Sequence, residues 1–112
     1  MEVVSILAER GADINKAMNG GITPLNIASE EGHVEVVRIL VERRADINKA
    51  DNEGSTPLWI ASQKGHMEVV RILVERGADI NKANNHRKTP LYAATRNNHT
   101  EIIHMLELAA QV

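Results

Sequence analysis

The sequence predicts an all-α protein built as a solenoid of stacked repeats, and three observations lead to this prediction. The motif Thr-Pro-Leu begins at Thr23 and recurs at Thr56 and Thr89, a constant step of 33 residues. Between 23–55 and 56–88, 24 of 33 positions are identical. Apolar residues make up 43% of the chain, yet one Trp and one Tyr are the only aromatics. A period of roughly 20 to 50 residues is typical of chains in which each unit buries its apolar face on its neighbours. We therefore expect a core of Val, Ile, Leu and Ala between closely packed short helices.

Each unit is predicted to begin with a short helix. Thr23 is a good N-cap, and Pro24 suits the first helical position because the N–H that proline lacks would have no partner there. The helix should run from Pro24 to about Glu31. Gly32 should then end it in the left-handed conformation.

A second helix should open at His33 and run to about Arg43. Its apolar residues cover more than one face, as expected for a helix that lies between neighbours on both sides. The segment 45–55 that follows is polar and rich in turn-forming residues, so it should form a hairpin-like loop leading to the next Thr-Pro.

Three motifs recur in the same order and phase over nearly all 112 residues: Thr-Pro-Leu-x-x-Ala, Gly-His-x-Glu-Val-Val-x-x-Leu and Gly-Ala-Asp-x-Asn. Together they resemble the ankyrin repeat. The resemblance implies an ankyrin-repeat solenoid of antiparallel helix pairs, with hairpins projecting roughly perpendicular to them. It also implies that partners bind at the hairpin tips and at the concave face of the first helices.

The alignment of the repeats divides the single domain 1–112 into four units. A partial repeat, 1–22, lacks its first helix, because it lines up with 34–55. Two whole repeats follow, 23–55 and 56–88, and 89–112 forms a C-terminal capping helix pair. We expect the N-terminal unit to leave an open apolar edge and to mediate end-to-end or swapped self-association through Val3, Val4, Ile6 and Leu7.

Two kinds of departure from the family pattern are informative. The histidine that follows Thr-Pro-Leu in the family is replaced by Asn26, Trp59 and Tyr92. The two aromatics, one repeat apart, either pack between repeats at the base of the hairpins or form an aromatic anchor on the concave face. Arg44 stands at a glycine position, where a left-handed conformation would cost on the order of 1–2 kcal/mol. Arg87 also replaces a glycine, which predicts a distorted third hairpin tip.

The recurring histidines His33, His66 and His99 suggest a structural role rather than a metal site. Equivalent atoms one repeat apart cannot share a metal whose ligand bonds are about 2 Å. We expect each ring to be hydrogen-bonded to nearby loop backbone, with no metal and no cofactor.

The positions that differ between the two whole repeats collect on the hairpins and first helices, where the family meets its partners. Acidic residues lie toward the N-terminal side of this face and basic residues toward the C-terminal side. The charges either pair locally, as Glu31 could with Lys64, or orient a partner of opposite charge order. The predicted partner-binding residues are Asn26, Glu30, Glu31, Asp51, Glu53, Trp59, Gln63, Lys64, His86, Arg87, Lys88, Tyr92 and Arg96.

Composition excludes several other classes of protein. A net charge of −2 argues against a general attraction to nucleic acid. The chain has no cysteine and no apolar run long enough for a membrane span. Met1–Val4 show neither a basic region nor a cleavage pattern, so we expect no signal peptide and an intracellular, cytoplasmic setting. No catalytic triad or phosphate loop stands out, which predicts a non-enzyme that binds a protein or peptide. The alternative is a structural or self-assembling unit, from a fragment or an engineered scaffold, associating through its N-terminal edge.

Overall fold

The computed structural model describes residues 14–111, which form three consecutive pairs of α-helices joined by loops. Pro24–Glu31 (α1), Pro57–Lys64 (α3) and Pro90–Arg96 (α5) are the first helices of their pairs. The second helices are Val34–Glu42 (α2), Met67–Glu75 (α4) and Thr100–Ala110 (α6). A 3-10 turn, Asn19–Gly21, precedes them. The all-helical solenoid is thereby confirmed. The N-terminal residues Val3, Val4, Ile6 and Leu7 lie outside the described part, and self-association through them stays a prediction.

The Thr-Pro-Leu motif sets the start of every first helix. The side-chain oxygens of Thr23, Thr56 and Thr89 each accept a hydrogen bond from the backbone N–H three residues on, at 3.1–3.2 Å. The following proline occupies the first turn. Because this cap recurs every 33 residues, the three first helices begin in register.

The helices pack in two rows around a continuous aliphatic core. The first helices contact one another more extensively than the second helices do, so the stack is tighter on that side. Small buried residues, Ala28, Ala61 and Ala94, permit this close approach, whereas α2 and α4 bury the larger Leu40 and Leu73. The first helices therefore form the more closely spaced of the two rows.

The recurring Asp-x-Asn motif links consecutive loops. The side-chain oxygen of Asn48 accepts a hydrogen bond at 2.8 Å from the backbone N–H of Asp79, one repeat later. The same bond joins Asn15 to Asp46 at 2.6 Å. Each asparagine thus holds the loop of the following repeat, which is the physical reason for its fixed 33-residue step.

Two of the three repeat histidines, His66 and His99, bond to backbone as predicted, but to a helix carbonyl of the preceding repeat rather than to a nearby loop. His33 differs from the prediction, since its Nε2 lies 3.1 Å from a side-chain oxygen, Oε1 of Glu31. Nε2 of His66 lies 2.8 Å from the carbonyl oxygen of Glu30, and Nε2 of His99 lies 2.9 Å from that of Gln63. Both carbonyls belong to the last turn of the preceding first helix, not to a loop. Because a carbonyl can only accept, Nε2 carries the proton in each ring. We call these two contacts the histidine joints.

The two arginines at glycine positions, Arg44 and Arg87, both adopt the left-handed conformation, which we considered for Arg44 from the sequence. Arg44 has φ of 67° and Arg87 has φ of 63°, both left-handed. The predicted distortion of the third tip is nevertheless wrong. The backbone N–H of Arg87 donates to the carbonyl of Asn84 at 3.0 Å, just as Gly54 donates to Asp51 at 2.9 Å in the second tip. The turn is conserved, and Arg87 accommodates its backbone angles.

Candidate functional site

The candidate site lies where the third hairpin tip, 84–88, meets the first helices α3 and α5. The tip is held by its own asparagine, because Oδ1 of Asn84 accepts hydrogen bonds from the backbone N–H groups of His86 and Lys88 at 2.9 and 3.0 Å. The tip also rests on its predecessor through a bond of 2.9 Å from the N–H of Asn85 to the carbonyl of Glu53. These hydrogen bonds fix the conformation of the third hairpin tip beside the cavity.

Trp59 bridges the first helix α3 and this tip. Its indole N–H donates to the carbonyl oxygen of Lys88 at 2.9 Å, which sets the orientation of the half-buried ring. Tyr92, on α5, is 42% exposed, and Nζ of Lys88 lies 4.5 Å from the centroid of its ring. Such a distance is within the range of a cation–π contact. One aromatic is thus fixed against the hairpin while the other faces solvent.

A cavity of about 330 Å³ opens between these two rings. Six predicted site residues line it, and three further residues were missed. The lining consists of Trp59, Gln63, His86, Lys88, Tyr92 and Arg96, together with Asn84, Ala93 and Asn97.

The signal for the most informative missed residue was present in the sequence. Ala93 stands where the first and second repeats have Ile27 and Ile60. Ala93 is 2% exposed and lines the cavity, so the loss of the larger side chain leaves space there. Comparison of the last repeat with both others, rather than of the two whole repeats alone, would have identified it.

Asn26 is a correction to the predicted partner-binding set. Its side chain is only 2% exposed and is engaged on both sides. Oδ1 accepts from the backbone N–H and the hydroxyl of Thr23 at 2.9 and 2.8 Å, and Nδ2 donates to the carbonyl of Lys49 at 3.4 Å. Asn26 completes the N-terminal cap of α1 and offers no surface to a partner.

The remaining predicted residues lie outside the cavity. Glu30, Glu31, Glu53, Lys64 and Arg87 are exposed, and Asp51 is half-buried in the turn of the second tip. The suggested pairing of Glu31 with Lys64 is absent from the described residues. Glu31 instead lies 3.1 Å from His33, and Glu53 lies 3.9 Å from His86.

Comparison with known families agrees with this architecture. A family model described as ankyrin repeats in three copies matches residues 44–112, and a second ankyrin model, described as many copies, matches 7–61. The chain belongs to the ankyrin repeat family. Ankyrin repeats generally act as protein–protein interaction modules and are typically non-catalytic. A search of curated proteins found no significant match to this chain.

Two further observations concern this ankyrin protein's surroundings. Over residues 14–111, each helix is too short or too polar to cross a lipid bilayer. In the same part of the chain, the His, Asp and Glu side chains form no cluster of three or more that could hold a metal ion.

Proposed function

We propose that this chain is a non-catalytic scaffold that binds a protein or peptide through its hairpin tips and the concave face of its first helices. The observation that carries the proposal is the cavity between Trp59 and Tyr92, the only two aromatics of the chain. Aromatic side chains at the centre of a concave, partly desolvated surface are the residues that most often dominate binding energy. We place this activity in an intracellular, reducing compartment, in keeping with the lack of cysteine.

The geometry supports binding more than chemistry. Orientation of the Trp59 ring by a backbone carbonyl reduces the side-chain entropy lost when a partner packs on it. The acids Glu30, Glu31 and Glu53 are exposed and do not line the cavity, so they form no water-excluded pair around a reacting group there. A net charge of −2 also gives no general attraction for nucleic acid.

A pull-down with the whole chain tests this proposal. Partners retained by the wild type should be lost with Trp59→Ala/Tyr92→Ala, because truncation of an aromatic anchor typically costs about 2 kcal/mol or more of binding. Leu108→Ala is the matched control, since Leu108 is 64% exposed on α6, away from the cavity. Equal retention of every partner by the double variant would contradict binding at this face.

A further inference from the structure

The charge around the cavity between Trp59 and Tyr92 is one-sided. Lys88 lines it from the hairpin and Arg96 from the end of α5, while no carboxylate lines it. Within residues 14–111, neither Lys88 nor Arg96 has a carboxylate within salt-bridge distance. The tip residue His86 does face an acid, because its Nε2 lies 3.9 Å from Oε2 of Glu53. Two cations that lack carboxylate partners therefore border the same concave space.

The floor of the cavity is apolar. The buried Ala93 lies there in place of the isoleucine of the other two repeats, and the rings of Trp59 and Tyr92 also line the cavity. An aliphatic or aromatic side chain would fill this space and bury its surface against all three residues. The site thus combines an apolar floor with cations at its border.

The cations of this site suit a short acidic patch better than a continuous polyanion. The neighbouring part of the same face, one repeat toward the N-terminus, exposes Glu30, Glu31 and Glu53. A nucleic-acid strand that followed the face would meet these carboxylates within one repeat step, and like charges repel it. A peptide avoids this repulsion because only the few residues that lie over the cavity need to be acidic.

We propose that this cavity binds an acidic peptide segment of a protein partner. An Asp or Glu carboxylate of the segment binds between Lys88 and Arg96, and an adjacent aliphatic or aromatic side chain enters the space above Ala93. Charge-assisted hydrogen bonds to the carboxylate supply orientation, and the apolar contact supplies buried area. The inference rests on the proposed function and specifies the chemistry of the partner.

Selection of peptides by the whole chain provides the first test. A phage library of random 12-residue peptides is panned on the wild-type protein. The recovered sequences should be enriched in Asp or Glu next to an aliphatic or aromatic residue. The strongest peptide is then synthesised beside its Gln or Asn analogue at the acidic position. We expect the neutral analogue to bind about tenfold more weakly in fluorescence anisotropy.

Two variants separate the charge contribution from the shape contribution. Lys88→Met/Arg96→Met should weaken the acidic peptide at least tenfold. Ala93→Ile should also weaken binding of the acidic peptide at least tenfold, without a change of charge. The isoleucine side chain, which Ile27 and Ile60 provide at the equivalent positions, fills the space that the peptide would occupy. The matched control, Arg76→Met/Lys82→Met, removes the same charge from exposed residues that do not line the cavity, and should change affinity less than twofold. Circular dichroism melts verify that each variant is folded.

The outcomes distinguish this inference from the proposed function. Peptides without an acidic preference, or acidic peptides whose binding survives both cavity variants, overturn the inference. If their binding is still lost with Trp59→Ala/Tyr92→Ala, the proposed function stands. A fluorescein-labelled 20-nucleotide dT strand that binds more tightly than the peptide and is released by Lys88→Met/Arg96→Met also overturns the inference. Recovery of no peptide, together with no partner sensitive to the aromatic double variant, overturns both.

Discussion

The histidine joints stay constant from one repeat to the next, whereas the cavity face varies. By the cavity face we mean the side of the first helices and hairpin tips that carries the cavity. At the joints, His66 and His99 make almost identical contacts, at 2.8 and 2.9 Å, to the carbonyls of residues whose side chains differ, Glu30 and Gln63. On the cavity face, the equivalent positions Asn26, Trp59 and Tyr92 are buried, half-buried and exposed in turn. The joints use backbone acceptors and so impose no condition on the side chain of the residue that supplies the carbonyl. The face is thereby free to vary while the stack stays regular.

The largest loss of stability is expected from a substitution that disturbs a histidine joint. A Cβ on Gly65 would lie 2.6 Å from Cε1 of His99, and Gly65 has φ of 82°. Gly65→Ala should therefore lower the free energy of unfolding by about 2–3 kcal/mol, from the left-handed backbone, the displaced ring and its lost hydrogen bond. Urea denaturation followed by circular dichroism measures the loss.

Gly77→Ala is the control for that experiment. Gly77 has a similar φ of 88°, but a Cβ there would meet no atom within 4 Å. The backbone cost alone, about 1 kcal/mol, should remain. Equal losses for the two variants would show that the joint contributes nothing beyond backbone conformation.

A smaller effect of opposite sign is expected at Arg44, which follows α2 at the position where Gly77 follows α4. With φ of 67° it carries left-handed strain. Arg44→Gly should raise the free energy of unfolding by about 0.5–1 kcal/mol, because relief of strain exceeds the added entropy of the unfolded chain. The melting temperature should rise by roughly 2–5 °C in a calorimetric scan. Arg76→Gly, at a residue with φ of −95°, should lower it instead.

The smallest effect is expected at two fully buried serines of the first helices, Ser29 and Ser62. The Oγ atoms of Ser29 and Ser62 are buried and have no hydrogen-bond partner in the described chain. Ser62→Ala should change the free energy of unfolding by less than about 0.5 kcal/mol or raise it slightly, since it removes a desolvated hydroxyl. Thr56→Ala removes a buried hydroxyl that caps α3 and should cost about 1 kcal/mol in the same melt. A larger loss of stability for Ser62→Ala than for Thr56→Ala would contradict the finding that the Ser62 hydroxyl has no hydrogen-bond partner among the described residues.

The sequence predicted the fold closely because the repeat carries its own local signals. Thr23, Pro24 and Gly32 define a helix that the structure bounds at Pro24–Glu31, as expected. The acceptor of the histidine rings was not predictable, because it depends on how far one repeat is displaced relative to the next. A single repeat contains no information about that displacement.

The cavity was only partly predictable for a related reason. Divergence between the two whole repeats identified Trp59 and Lys88 as members of a variable face, and departure from the family pattern identified Tyr92. All three line the cavity. Divergence cannot tell a side chain that points outward from one that turns into a cap, so Asn26 was misassigned. Nor does it show that a small residue such as Ala93 creates space, because the space depends on neighbours from three separate segments.

The histidine joints also bear on how the length of this chain can change. A peptide carbonyl is the same acceptor whichever residue supplies it, so a joint requires no particular side chain on the acceptor residue. The glycine that each ring packs against, Gly32 or Gly65, recurs with the repeat. Removal of 56–88 would bring His99 opposite the carbonyl of Glu30, and duplication of those residues would insert one more compatible junction. Whole modules can therefore be gained or lost without remodelling any of the others, and each change alters how many binding surfaces the array displays.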